Sequence, residues 1–498
     1  MEVTFQNQGC PCLKPVLRQA RNAEQSQEIK LAEGMPDVGR ILTAWGQPIL
    51  RGKEWGSDGL TVTGGMMVWV LYTPEDGSTE RCLDGWIPFQ LRFELPEELP
   101  EGKICLGMLP RAVEARTVSP RKIQVRAGLS LLCQAFVPME IPVARPQHLP
   151  EGVELLENTY PVRLWKEAGE KAFSQEETLT LPDSAPVPEE LICYWADARV
   201  TDRKVLSQKL VFRGSTAVHL CYRCREGQLH CWDFDLPFSQ YAELAGEYGP
   251  DAQTEFSLCL TGLELELDEE GRMNLKCGIA AQYALSDREQ LELTQDAYSP
   301  GRELQIQMST LELPVTLDGR RENLYAEQTL PGQGSLVVDS RFLPEYPRQR
   351  REGTCPVLEQ CGTFQLLYYG EDGALHAGSA RWEGTLPVTA DEAVDIWAVP
   401  GIGTCQAAIG GSEMTLKAEL PVELTAATVE RLSVVTGLTL GESRKGEVGR
   451  PSLILCRAGE RSLWDMAKAA GSTVASIREA NDLQGEPAPD QMLLIPIL

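Results

Sequence analysis

The sequence predicts a mainly β protein: three antiparallel, sandwich-like repeat modules followed by a small strand–helix–helix–strand domain. Three observations predict it. The chain resembles itself at a shift of 150 positions, apolar residues inside each copy alternate with a period of two, and helical periodicity enters only after residue 450.

Displaced by 150 positions, Ile29 and Leu31 fall on Leu179 and Leu181, and Trp45 falls on Trp195. Leu60 and Val62 fall on Leu210 and Phe212, and Val68, Val70 and Tyr72 on Val218, Leu220 and Tyr222, all without a gap. A third copy is looser. Phe364, Leu366, Tyr368 and Gly373 echo Val218, Leu220, Tyr222 and Gly227, while Met414, Leu416 and Ala418 echo Met273, Leu275 and Cys277. Side chains change face at every residue of a strand, so Val68, Val70 and Tyr72 share one buried face. A turn follows in each copy at Asp76-Gly77, Glu226-Gly227 and Asp372-Gly373, where glycine supplies the positive φ of a tight turn. Arg126, Lys276 and Lys417 recur opposite the apolar positions of a later strand and predict a solvated outer face. The recurring Tyr72, Tyr222 and Tyr368, with Trp45 and Trp195, read as core aromatics more readily than as a shared ligand shelf.

The boundaries expected from these repeats are an extension over 1–23, modules over 24–145, 171–316 and 322–440, and a last domain over 450–498. Pro142 to Glu170 reads as a linker, Pro314 to Arg321 as a second junction, and Leu440 to Glu447 as a polar linker.

In the last segment Leu453-Ile454-Leu455 reads as a strand and Ser462 as a helix N-cap. Leu463, Met466, Ala467 and Ala470 make one apolar helical face, and Gly471 ends it. A second helix is expected from Thr473, with Val474, Ile477 and Ala480 inward and Asn481 as an αL terminus; Met492 to Ile495 is a closing strand before Pro496.

This segment resembles the LysM domain through Gly459, Ser462, Leu463, Trp464, Asn481, Gln491, Ile495 and Pro496. The resemblance implies a binding groove between two loops, here Gly459, Glu460, Arg461, Ser462 and Leu463 on one side and Pro489, Asp490, Gln491 and Met492 on the other. LysM domains take N-acetylglucosamine glycans there. In this chain Asp490 stands where the family has glycine, and Glu460-Arg461 lengthens the first loop, which favours a protein surface over a sugar. The upstream repeats resemble SPOCS domains, with Gln27 to Leu31 and Pro36 to Leu42 carrying the likeness. Several SPOCS copies before one LysM is the architecture of SipL-type spore-coat proteins. It implies a scaffold that acts from the mother-cell cytoplasm at the forespore surface and binds a coat-morphogenetic ATPase. The alternative it leaves is a peptidoglycan-binding protein.

Composition narrows the function further. With 46 basic and 72 acidic residues the chain carries a net charge of −26 and a pI near 4.7, which opposes nucleic acid and anionic lipid as main partners. The apolar run from Met66 to Tyr72 falls far short of the ~20 residues of a spanning helix. The first residues show neither a basic nor an apolar signal region, so a reducing compartment and free thiols are expected for the 15 cysteines.

Candidate chemistry is sparse. His219, Cys221, Cys224, His230 and Cys231 suggest zinc, but Cys221 and Cys224 lie an odd number apart and face opposite sides of a strand, so small core residues, and no metal, are expected. Cys10-Pro11-Cys12 reads either as an exposed free thiol pair or as a cross-linking handle. With four histidines (His148, His219, His230, His376), no nucleophile elbow, no phosphate loop, and acidic runs such as Glu97-Glu98 and Asp268-Glu269-Glu270 read as solvated turns, no catalytic site and no cofactor are expected.

Overall fold

An alternating strand buries its apolar face only where it finds a partner along its length, and here the partners are long. The computed structural model describes residues 2–96, 99–269, 271–352, 355–386, 395–401, 403–443 and 451–498. Three antiparallel ladders form its frame. Phe5–Lys30 pairs with Lys122–Pro146, Glu154–Leu179 with Met273–Tyr298, and Arg302–Pro331 with Glu413–Ser443. The pair Glu28–Gln124 in the first ladder recurs 150 positions on as Thr178–Asn274 in the second. Each ladder gains a further neighbour: Lys103–Ser119 on the first, Gln253–Leu267 on the second, and Asp395–Pro400 with Thr404–Gly410 on the third.

Between the two strands of each ladder the chain makes a head sheet. The first head is Val38–Gly56, Gly59–Pro74 and Arg81–Glu94; the second is Pro188–Cys224 with Leu229–Tyr248. The third is Gly334–Pro344, Cys355–Gly370 and Leu375–Leu386, with Arg348–Glu352 alongside. Val68 and Phe364 are fully buried and Val218 is nearly so, each on a strand that runs into a turn glycine. Gly77, Gly227 and Gly373 have φ of 72°, 84° and 73°, and their amides donate to Pro74, Cys224 and Gly370. Each head packs on its own ladder: Val68 and Phe93 with Ile123 and Val125, Val218 and Tyr222 with Met273 and Leu275, Phe364 and Tyr368 with Met414 and Leu416. Tyr72 Oη donates to the Pro36 carbonyl and Tyr222 Oη to the Pro186 carbonyl, both at 3.0 Å. Arg126, Lys276 and Lys417 are exposed and pair with Glu114, Glu176 and Glu327.

The expected connectors are strands. Residues 5–23 form most of Phe5–Lys30, which lies inside a six-stranded sheet between Lys122–Pro146 and Glu154–Leu179, so they are no extension. Of the linker Pro142 to Glu170, only 147–153 separates two strands, and Pro314 to Arg321 lies within Arg302–Pro331. The reason is a core that no single module holds. Cys12, Ile141 and Val143 from the first ladder, Val162, Leu164, Leu291 and Leu293 from the second, and Leu313, Leu432 and Val434 from the third pack together. The outer halves of all three ladders therefore form a common stem. The last strand of the third ladder reaches Ser443 inside the expected linker; 444–450, like Glu97, Glu98 and Glu270, lies outside the described residues.

Residues 451–498 form Leu453–Arg457, helix α1 (Leu463–Ala470), helix α2 (Val474–Ala480) and Met492–Pro496, with the two strands antiparallel. Ser462 and Thr473 cap the helices by accepting from Asp465 N and Ser476 N, and Gly471 closes α1 at φ 67°. Asn481 differs from expectation. Its φ is −122°, and Asp482 takes the left-handed conformation instead. Its side chain binds Ile477 O, Leu494 O and Leu494 N, tying α2 to the closing strand. Ala480 is exposed rather than inward.

Candidate functional site

The two C-terminal loops are neighbours because backbone bonds join them. Ala458 N donates to Gln491 O and Gly459 N to Pro489 O, both at 2.9 Å. Gly459 has φ 63° with open space where a Cβ would stand. Glu460, Arg461, Ser462, Pro489, Asp490 and Met492 are exposed and Gln491 is half-buried. Leu463 belongs instead to the module's core with Met466, Ala467, Ile477, Leu493 and Ile495. Beside the loops runs an apolar strip. Alternation on the two paired strands turns Leu453, Leu455, Leu494 and Met492 outward, where Leu455 is 60% and Met492 51% exposed.

Through α1 and the residues that follow it, the module is docked on the second ladder. Trp464 Nε1 donates to Asp296 Oδ2 at 2.8 Å, Lys468 Nζ reaches the same carboxylate, and Tyr298 Oη donates to Ser472 O. Tyr298 meets the Trp464 ring edge-on at 4.7 Å and completes the small core. Burial pushes the Asp296 carboxyl up, but Lys468 and the Trp464 indole outweigh it and hold it below its ordinary value.

A second cluster stands where the heads meet. Trp45, Trp69, Cys193, Trp195, Cys221 and Leu367, drawn from all three, pack there. Beside them opens a cavity of about 1130 Å³, lined by Gln47, Trp195, His219, Asp233, Asp339 and Arg341 among others. On the second head His219 pairs directly across with Asp233, and Cys221 with Cys231. All four share one face, because positions two apart on a strand point the same way. Cys224 is buried and belongs to the opposite face, with Val218, Leu220 and Tyr222. His230 lies near Tyr222, and His376 binds Asp372 at the third turn.

The His219 ring is fixed on every side. Nδ1 is 2.6 Å from Asp233 Oδ1, the ring stacks on Trp195 at 4.1 Å and 15°, and Arg341 covers the Trp195 ring at 4.1 Å. Burial opposes its protonation, but Asp339 and Asp233 outweigh burial and raise its basicity. Burial pushes the Asp339 carboxyl up, and hydrogen bonds from Cys193 and Cys231 hold the Cys221 thiol well below its ordinary value.

The expected thiol pair at the N-terminus is not exposed. Cys10 is half-buried with Lys166 Nζ 3.8 Å from its sulfur, and Cys12 is buried in the stem, where burial raises its thiol. The cysteines whose side chains are described are free thiols. No helix among the described residues is long and apolar enough to cross a membrane.

Residues 189–261 match the family described as SipL, SPOCS domain, which points to a sporulation-related role. The match spans the second head and the start of its ladder neighbour Gln253–Leu267. No curated protein and no solved structure matches the chain.

Proposed function

We propose that this chain is a non-catalytic scaffold of spore-envelope assembly, built of three SPOCS-like modules and a C-terminal LysM-like module that binds protein. The match over 189–261 supports the sporulation setting. The observation that carries the binding reading is the free face of the last module. There Glu460, Arg461 and Asp490 adjoin the exposed strip of Leu453, Leu455, Met492 and Leu494. An apolar strip rimmed by charges suits a protein surface better than the flat face of a sugar ring. The partner we favour is a coat-morphogenetic ATPase met at the forespore surface from the mother-cell side. Several modules on one chain suit a bridge, because tethering raises the effective concentration of weak contacts.

The test uses the full chain, since Tyr298 and Leu156 complete the core of the last module. Calorimetry should show binding to the recombinant coat ATPase of the same organism and none to chito-oligosaccharides. Arg461→Glu should weaken partner binding by about 1–3 kcal/mol if Arg461 anchors the contact centre, and less at its rim. Sugar binding without partner binding would transfer the reading to peptidoglycan.

A further inference from the structure

We propose that His219, Cys231 and Asp339 form a zinc site that joins the second head to the third. The ligand atoms of these three side chains already lie within 4.8 Å of one another. Ligands about 2.0–2.3 Å from a tetrahedral zinc stand ~3.3–3.8 Å apart, a range that the 3.5 Å between His219 Nε2 and Asp339 Oδ1 already meets.

The imidazole is prepared for this role. Asp233 holds Nδ1, which fixes the tautomer and leaves Nε2 as the coordinating nitrogen, the arrangement that orients most metal-binding histidines. Nε2 is buried and has no hydrogen-bond partner among the described residues. Its nearest carboxylate oxygen, Asp339 Oδ1, stands at 3.5 Å, a spacing natural to two ligands of one ion. Trp195 stacks on the ring at 4.1 Å and holds its plane. Cys221 pairs with Cys231 directly across the hairpin and places a second thiol beside it.

One nitrogen, one sulfur and one carboxylate oxygen select a borderline ion such as zinc over magnesium or calcium, which take oxygen alone. His219 and Cys231 come from the second head, whereas Asp339 comes from Gly334–Pro344 of the third. A bound ion therefore clamps two heads across the cavity, with that cavity as its entry path.

The full-length chain, purified without chelator from zinc-supplemented cells, should carry one zinc per chain by elemental analysis. Stripped of metal and titrated with Co²⁺, it should develop a thiolate-to-cobalt band in the near ultraviolet. Cys231→Ser should remove that band. His219→Ala and Asp339→Asn should each weaken cobalt binding by at least about 10-fold, and Asp233→Asn by about 10–100-fold. His230→Gln, next to Cys231 but on the other face, should behave as the wild type. A wild-type chain with neither zinc nor a cobalt band overturns the site, as does a band that survives Cys231→Ser. The wild-type readouts decide the matter even where a variant fails to fold.

Discussion

Lys468 Nζ lies 2.7 Å from Asp296 Oδ2, so the first helix of the C-terminal module is tied to the far end of the second ladder. The same carboxylate accepts from the Trp464 indole. One side chain on the stem thus holds two residues of α1. Asp296→Ala should leave the indole N–H without its partner and cost about 1–3 kcal/mol of docking. Hydrogen exchange should show faster amide exchange over 463–470 in the variant, with the stem unchanged. Equal protection in both proteins would mean the docking rests on Tyr298 alone.

The docking should also depend on pH. The folded-state value of Asp296 lies below its ordinary 3.8, because Lys468 and Trp464 favour the carboxylate over the effect of burial. A depressed value means stability that is fully present above about 3.8 and lost as the pH falls through the lower folded value. Protection of α1 should therefore hold from neutral pH to about 4 and decline below it. Asp296→Asn should flatten that part of the profile.

Tyr72 and Tyr222 make the same bond in two heads, to Pro36 and Pro186. Tyr72→Phe and Tyr222→Phe keep the buried ring and remove only the hydroxyl. Each should cost about 0.5–1.5 kcal/mol in denaturant melts. The two costs should add in the double variant, since the bonds lie in separate heads and share no partner.

Deleting residues 2–23 separates two readings of the N-terminus. An appended extension could be removed without loss. Here these residues supply most of an interior strand, and Cys12 belongs to the stem core. The truncated chain should lose its soluble yield and its cooperative β-sheet melt. A soluble product with an unchanged melt would contradict the ladder of Phe5–Lys30 with Lys122–Pro146.

The heads were legible in the sequence because their signals are local. Val68, Val70 and Tyr72 alternate on one strand, and a glycine with positive φ ends the run within five residues of Tyr72. The stem was not, because its burial is non-local. Val162 and Leu164 also alternate, but what covers them is Leu313 and Leu432, far away in the chain, and the nearby prolines suggested a linker. The partners of His219 were illegible for a related reason. Comparing Cys221 with Cys224 along one strand gave opposite faces. The informative comparison ran across the hairpin, where the turn at Gly227 sets Cys221 against Cys231 and His219 against Asp233. Asp339 had no sequence signal, since only the meeting of two heads brings it there. Asn481 was placed at the right helix end, but its work is done by its side-chain amide rather than by a left-handed backbone.

The stem also sets the order in which this chain can be made. Glu2 and Val3 pair with Thr439 and Leu438, and Val3 packs against Val435 and Leu440. At a synthesis rate of ~5–20 residues per second, Val3 waits roughly 20–90 s for those partners to leave the ribosome. During that wait Cys12, Ile141, Val162 and Leu164 on the first two ladders lack the cover of Leu313, Leu432 and Val434. A nascent chain of this design needs shelter from holding chaperones until its third ladder is translated, and premature termination before residue 413 should yield aggregates rather than a shorter working protein.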